Sequence, residues 1–214
     1  MLYLNIKYII LFLIIIILTI IFPYYKLTRL EEVLLNINLD NGWSAGYNVE
    51  CSSGKAKTHK STTVKTSHCS CLTYYVCEKL GIYIPSPPEY SQFHLADKQI
   101  EWLSSNDAIK QGWKDIGNTV PQIYQESQKK ANEGYLVIAG VTQDDRVNGH
   151  IAIVRPYRNL DYNIIQHRGP IVIASSSPNT YADYLDEEFK LKYRDYAHLN
   201  GRVKFFYYSK KRFN

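Results

Sequence analysis

From Tyr8 to Phe22 nearly every residue is apolar, with Ile and Leu dominating, and the apolar reach extends to Tyr25 when Pro23 and Tyr24 are counted. No polar stripe interrupts the run, so it does not read as an amphipathic helix of a globular core. Its length sits at the lower end of a bilayer-spanning helix. The pattern predicts an N-terminal transmembrane helix: a signal anchor over residues 1–30, meeting the membrane through residues 8–25. Lys7 forms a short basic region before the run, as in a secretory signal, but no small-x-small cleavage site follows Phe22. An uncleaved anchor is therefore expected, and a secreted chain if the segment is cleaved. Lys26 and Arg29 after the run nearly balance Lys7 before it. Short N-terminal anchors followed by one domain usually export that domain, which places residues 31–214 outside the cytoplasm, in a periplasmic or extracellular space.

Beyond the anchor the periodicity changes. Leu27 to Leu39 reads as a linker with one or two helical turns. Asn41 to Ser67 is rich in Gly, Ser, Thr, Asn and Lys and reads as a long loop. Leu72, Tyr75, Val76 and Leu80 then recur at helical spacing, which predicts a helix starting near Cys69. Gly81 suits its C′ position, and Thr66 or Ser67 suits its N-cap. Ile82 to Pro88 is an extended exit. Residues 89–118 hold one or two short helices, and Val120 to Glu133 a further helix with Pro121 in its first turn. Apolar runs predict strands over Tyr135–Val141, His150–Arg155, Ile171–Ser175 and Arg202–Tyr208, with a turn over Thr142–Asn148. Asp183 to Leu191 is a helix before the last strand. A helix followed by antiparallel strands joined by short loops points to an α+β fold.

Charge narrows the function. The chain carries +5 formally, and residues 1–30 hold Lys7, Lys26 and Arg29 with no acid, which leaves +2 for the remainder. That is no nucleic-acid-binding signature. The four cysteines, Cys51, Cys69, Cys71 and Cys77, have poor spacing for zinc, and neither a metal nor a cofactor is expected. In an exported domain Cys51 can bridge to Cys71 or to Cys77, and spacing leaves both open.

Two residues carry candidate chemistry. Cys69 lies in the predicted first turn of a helix, where unpaired N–H groups and the helix dipole favour a thiolate, and where its own backbone N–H can serve an oxyanion. His150 leads the strand Gly149-His150-Ile151-Ala152-Ile153-Val154 beside a glycine that allows another chain to approach. It is the candidate general base. A third group must orient its imidazole. Ser175, at the end of the next strand, is the first candidate, with Ser176 and Asn179 as alternatives.

The run His68-Cys69-Ser70-Cys71-Leu72, continuing to Gly81-Ile82-Tyr83-Ile84-Pro85, resembles the nucleophile helix of the NlpC/P60 cysteine peptidases. That family reads Asp-Cys-Ser-Gly-Leu, then a helix, then Gly-Ile-x-Leu-Pro at the same spacing. Gly149 to Val154 is similar to its Gly-His-Val-Gly-Ile strand and to that of the CHAP amidases. The resemblance covers roughly residues 67–179. It implies a papain-like core with the nucleophile helix packed on an antiparallel sheet, and hydrolysis of an amide bond in peptidoglycan peptides. It makes Cys69 rather than Cys71 the nucleophile, puts Cys77 in the core, and suggests Tyr47 as an aid to the oxyanion. His68 replaces the family's aspartate, and a serine replaces its usual third residue. These departures keep two alternatives: a non-catalytic module that binds cell wall or a partner protein, and a cysteine amidase effector acting on another substrate.

Overall fold

A computed structural model of the chain describes residues 7–12, 27–43, 46–47, 49–56, 68–92, 94–118, 121–142, 149–190 and 201–213. In chain order the elements are α1 (Arg29–Leu35), α2 (Cys69–Leu80), α3 (Leu95–Leu103), α4 (Asn106–Gln111), β1 (Trp113–Asn118) and α5 (Pro121–Asn132). Then follow β2 (Val137–Val141), β3 (His150–Val154), α6 (Tyr162–Arg168), β4 (Ile171–Ala174), β5 (Thr180–Tyr184), α7 (Leu185–Lys190) and β6 (Lys204–Tyr208).

The strands form one sheet in the order β1-β6-β2-β3-β4-β5, every neighbouring pair antiparallel. Alternation along each strand sends successive side chains to opposite faces. Ile138, Ile151, Ile153, Ile173 and Phe206 join the buried side chains of α1, α2 and α3 on one face. Val137, Ala139, Ala152, Val154, Val172, Ala174 and Phe205 join those of α5, α6 and α7 on the other. With both faces covered, β2, β3 and β4 are buried throughout, which is why their sequences are continuous apolar runs. α3 approaches the sheet so closely that a Cβ on Gly140 would lie 2.7 Å from the Ile100 side chain.

The α+β class and the helix-on-sheet arrangement follow the sequence reading, and the N-terminal transmembrane helix does not. Among the described residues no helix is long and apolar enough to cross a membrane. The described helical stretch within the expected span covers only residues 7–12, too short for a bilayer, and residues 13–26 lie outside the described residues. The two strands the sequence did not predict, β1 and β5, are the two sheet edges. Edge strands keep polar residues, as in Lys114, Asp115 and Asp183, so no apolar run marks them.

α2 ends as its sequence predicts. Gly81 sits in the left-handed region at φ 71°, and the cap N–H groups return to the carbonyls of Cys77 and Glu78. A Cβ there would meet nothing within 4 Å, so the position is constrained by backbone conformation alone. Gly81→Ala is expected to lower stability by about 1 kcal/mol without altering the contacts of α2. Urea unfolding of both chains measures this, and an unchanged midpoint would show that α2 does not depend on that cap.

Candidate active site

Cys69 is the first residue of α2, on the face of Ile151 and Ile153, and is 5% exposed. The N-cap is His68, whose side chain makes no capping bond, and no acidic side chain lies in the first turn. The first turn itself therefore carries no acidic side chain against the positive end of the helix dipole. Thr66 and Ser67, expected as caps, lie outside the described residues. α3 braces this turn: Gln99 Nε2 donates to the carbonyls of Ser70 and Pro85, each at 3.0 Å.

His68 is fixed by two bonds. Its ring Nε2 donates to the backbone carbonyl of Tyr47 at 2.5 Å, which assigns the proton to Nε2 because a carbonyl can only accept. Its backbone N–H donates to Ser175 Oγ at 3.3 Å. Ser175 Oγ donates in turn to the carbonyl of Trp43 at 2.7 Å. Tyr47, expected near the oxyanion, therefore contributes a backbone carbonyl to the residue before the nucleophile candidate. Ser175, expected behind His150, holds the approach to α2.

His150 is fully buried at the start of β3, its ring 5.1 Å from that of Phe189, on the face opposite Ile151. Its Nε2 donates to Glu188 Oε1 at 2.5 Å. Glu188 belongs to α7 and is 4% exposed. Ser176 Oγ donates to the same Oε1 at 2.8 Å, and Thr180 Oγ1 donates to Oε2. Three donors converging on two oxygens suit a carboxylate, which only accepts. A carboxylate only accepts, so a proton of the His150 ring lies on Nε2 in this bond. The glycine before His150 does admit a neighbouring chain: a Cβ on Gly149 would lie 2.3 Å from Asp97 Oδ1 of α3.

The group bonded to the His150 ring is thus Glu188, which sequence reasoning missed. The Ser175 candidate bonds elsewhere, as described above. Ser176 acts on the carboxylate rather than on the imidazole. Asn179 Oδ1 accepts from the Ser176 N–H at 3.1 Å while its Nδ2 donates to the Leu39 carbonyl at 2.8 Å. A signal was present: Leu185, Glu188 and Phe189 fall at i, i+3 and i+4, which puts a carboxylate on the buried face of a short helix.

Two consecutive serines thus join the two faces. Ser175 reaches His68 beside Cys69, and Ser176 reaches the carboxylate behind His150. Of the remaining cysteines, Cys51 and Cys71 are joined by a disulfide, and Cys77 is a buried thiol that burial pushes far above the ordinary range, an inert core residue. Among the described residues no group of three or more His, Cys, Asp or Glu is arranged to hold a metal ion. No protein-family model matches the chain, and no curated protein matches it.

Burial lowers the titration of His68 below its ordinary 6.5, outweighing the Tyr47 carbonyl bond that raises it. The folded chain then holds fewer protons than the unfolded one between the lowered value and 6.5, so stability is complete above about 6.5 and falls as the pH drops through that window. In His68→Gln this part of the pH dependence is expected to vanish. Thermal melts of both chains between pH 7.5 and 4.5 check it, and parallel curves would contradict it.

Proposed function

We propose that the chain is a cysteine hydrolase that cleaves an amide bond in peptidoglycan peptides, with Cys69 as nucleophile, His150 as general base and Glu188 as the group that orients the base. The observation that carries this reading is the buried bond from His150 Nε2 to Glu188, seated by Ser176 and Thr180, at the strand end served by the same serine pair that holds the start of α2. The resemblance of residues 67–179 to the NlpC/P60 and CHAP enzymes supplies the substrate class. A disulfide between Cys51 and Cys71 suits an oxidising compartment outside the cytoplasm.

Cys69 lies on the Ile151 face of the sheet and His150 on the Val141 face, so the reaction requires thiol and imidazole to meet around the end of β3. His150 Nδ1 takes the proton of Cys69, and the thiolate attacks the amide carbonyl. The backbone N–H of Cys69 holds the oxyanion, and the C–N bond breaks as His150 protonates the leaving amine. Water, deprotonated by His150, then cleaves the thioester and releases the acid. Glu188 holds the imidazole in its productive tautomer and stabilises the imidazolium between these steps. No step calls for a metal or a cofactor.

A second reading is favoured by burial. With His150 fully buried and Cys69 nearly so, the same constellation suits a non-catalytic module that binds wall peptides or a protein partner. Digestion of purified peptidoglycan by the full chain, with products read by mass spectrometry, separates the two. Wild type is expected to release new fragments. Cys69→Ala and His150→Ala release none, and Glu188→Gln slows release about a hundredfold, as for loss of an acid–base partner. Binding without release by wild type favours the module.

A further inference from the structure

The segment carrying Trp43, Tyr47 and Cys51 meets the start of α2 at three points. Trp43 gives its carbonyl to Ser175, the serine that accepts from the His68 N–H. Tyr47 gives its carbonyl to the His68 ring. Cys51 is bonded covalently to Cys71, two residues beyond Cys69, with the two Cα atoms 4.6 Å apart. The Trp43 ring also packs edge-on against Tyr75 of α2, with centroids 5.6 Å apart. Cys51 lies in a tight turn in which Gly54 donates to the Glu50 carbonyl at 2.8 Å, closed by a bridge between Val49 and Ala56. A Cβ on Gly54 would lie 2.5 Å from the Trp43 ring, so the turn and the tryptophan are packed together.

The two hydrogen-bonded links reach His68, the residue before Cys69: that of Tyr47 directly and that of Trp43 through Ser175. His68 has no side-chain capping bond of its own, so its orientation follows the segment. The disulfide adds a covalent cross-link between Cys51 and α2. We propose that Trp43, Tyr47 and Cys51 act together as a strap, closed by the Cys51–Cys71 disulfide, that seats Cys69 through His68, and that opening this disulfide switches the site off. The inference rests on Cys69 being the nucleophile. A small dithiol opens the strap: two electrons and two protons pass to Cys51 and Cys71, and the dithiol closes to a cyclic disulfide. Oxidised glutathione reverses the change. His68 is a positioning residue: its ring N–H, with no part in proton transfer, holds the Tyr47 carbonyl. A thiol hydrolase of this build loses activity in the reductant that thiol enzymes usually require.

The test uses the full chain and two readouts: fragment release from peptidoglycan, and the rate at which iodoacetamide alkylates Cys69, mapped by peptide mass. Both are measured with the disulfide intact, after dithiothreitol treatment and its removal without air, and after reoxidation by glutathione disulfide. Reduction is expected to lower both rates at least about tenfold, as for misplacement of a reacting group by a fraction of an ångström, and reoxidation to restore them. Cys51→Ser combined with Cys71→Ser sits at the reduced level and ignores the dithiol. His68→Gln, whose amide can still donate to Tyr47, stays within about threefold of wild type, while His68→Phe falls to the reduced level. Should the double variant lose its near-UV circular dichroism, the reduction and reoxidation of wild type, which change no residue, decide the matter. Rates that survive reduction overturn the strap. If release is absent throughout while alkylation slows on reduction, the hydrolase reading fails and the strap stands. If release is normal and indifferent to the dithiol, the strap alone fails.

Discussion

A carboxylate enclosed among apolar side chains has to be surrounded by donors, and Glu188 imposes that condition on one whole side of the sheet. Leu185 and Phe189 pack against the sheet on either side of it, so α7 carries a charge-bearing group into the second core. His150, Ser176 and Thr180 come from β3, from the loop after β4 and from β5, and each contributes one donor. Removing one partner of such a buried pair typically costs about 3–5 kcal/mol, because the other is left uncompensated. The arrangement of β3, β4, β5 and α7 is therefore tied to a single polar cluster, and the orientation of the imidazole is a consequence of it.

The opposite face is organised by the start of α2. There the polar links run through backbone carbonyls, those of Trp43 and Tyr47, and the covalent link runs through Cys51. A disulfide closing a loop of this length also stabilises by about 3 kcal/mol through the unfolded chain. The two faces communicate through the change of side between Ser175 and Ser176. At the end of β4, Ser175 is bonded to His68 beside Cys69 and Ser176 to the carboxylate behind His150.

This division explains what could be read from the sequence. The α2 helix, its glycine cap and the three central strands are written in apolar spacing, because each is buried on one stripe or on both faces. The edge strands β1 and β5 are half solvated and carry no such mark. The placements of Cys69 at a helix start and of His150 at a strand start were legible from their local settings. The partner of the His150 ring comes not from the adjacent strand but from a helix beyond the next one, where only the spacing of Leu185, Glu188 and Phe189 marks it. The contributions of Trp43 and Tyr47 left no trace, since every residue has a carbonyl. The choice between Cys71 and Cys77 as partner of Cys51 needed the fold. The membrane-spanning helix rested on the apolar run alone, and the helical stretch described there is short.

The central claim is that Glu188 acts through His150 on Cys69, across the sheet. Alkylation of Cys69 by iodoacetamide at neutral pH tests it without any substrate. The rate in Glu188→Gln is predicted to fall at least about tenfold below wild type, close to that of His150→Ala, because an imidazole that is not held cannot generate the thiolate. Equal rates in all three chains would contradict the coupling and leave Cys69 an ordinary buried thiol.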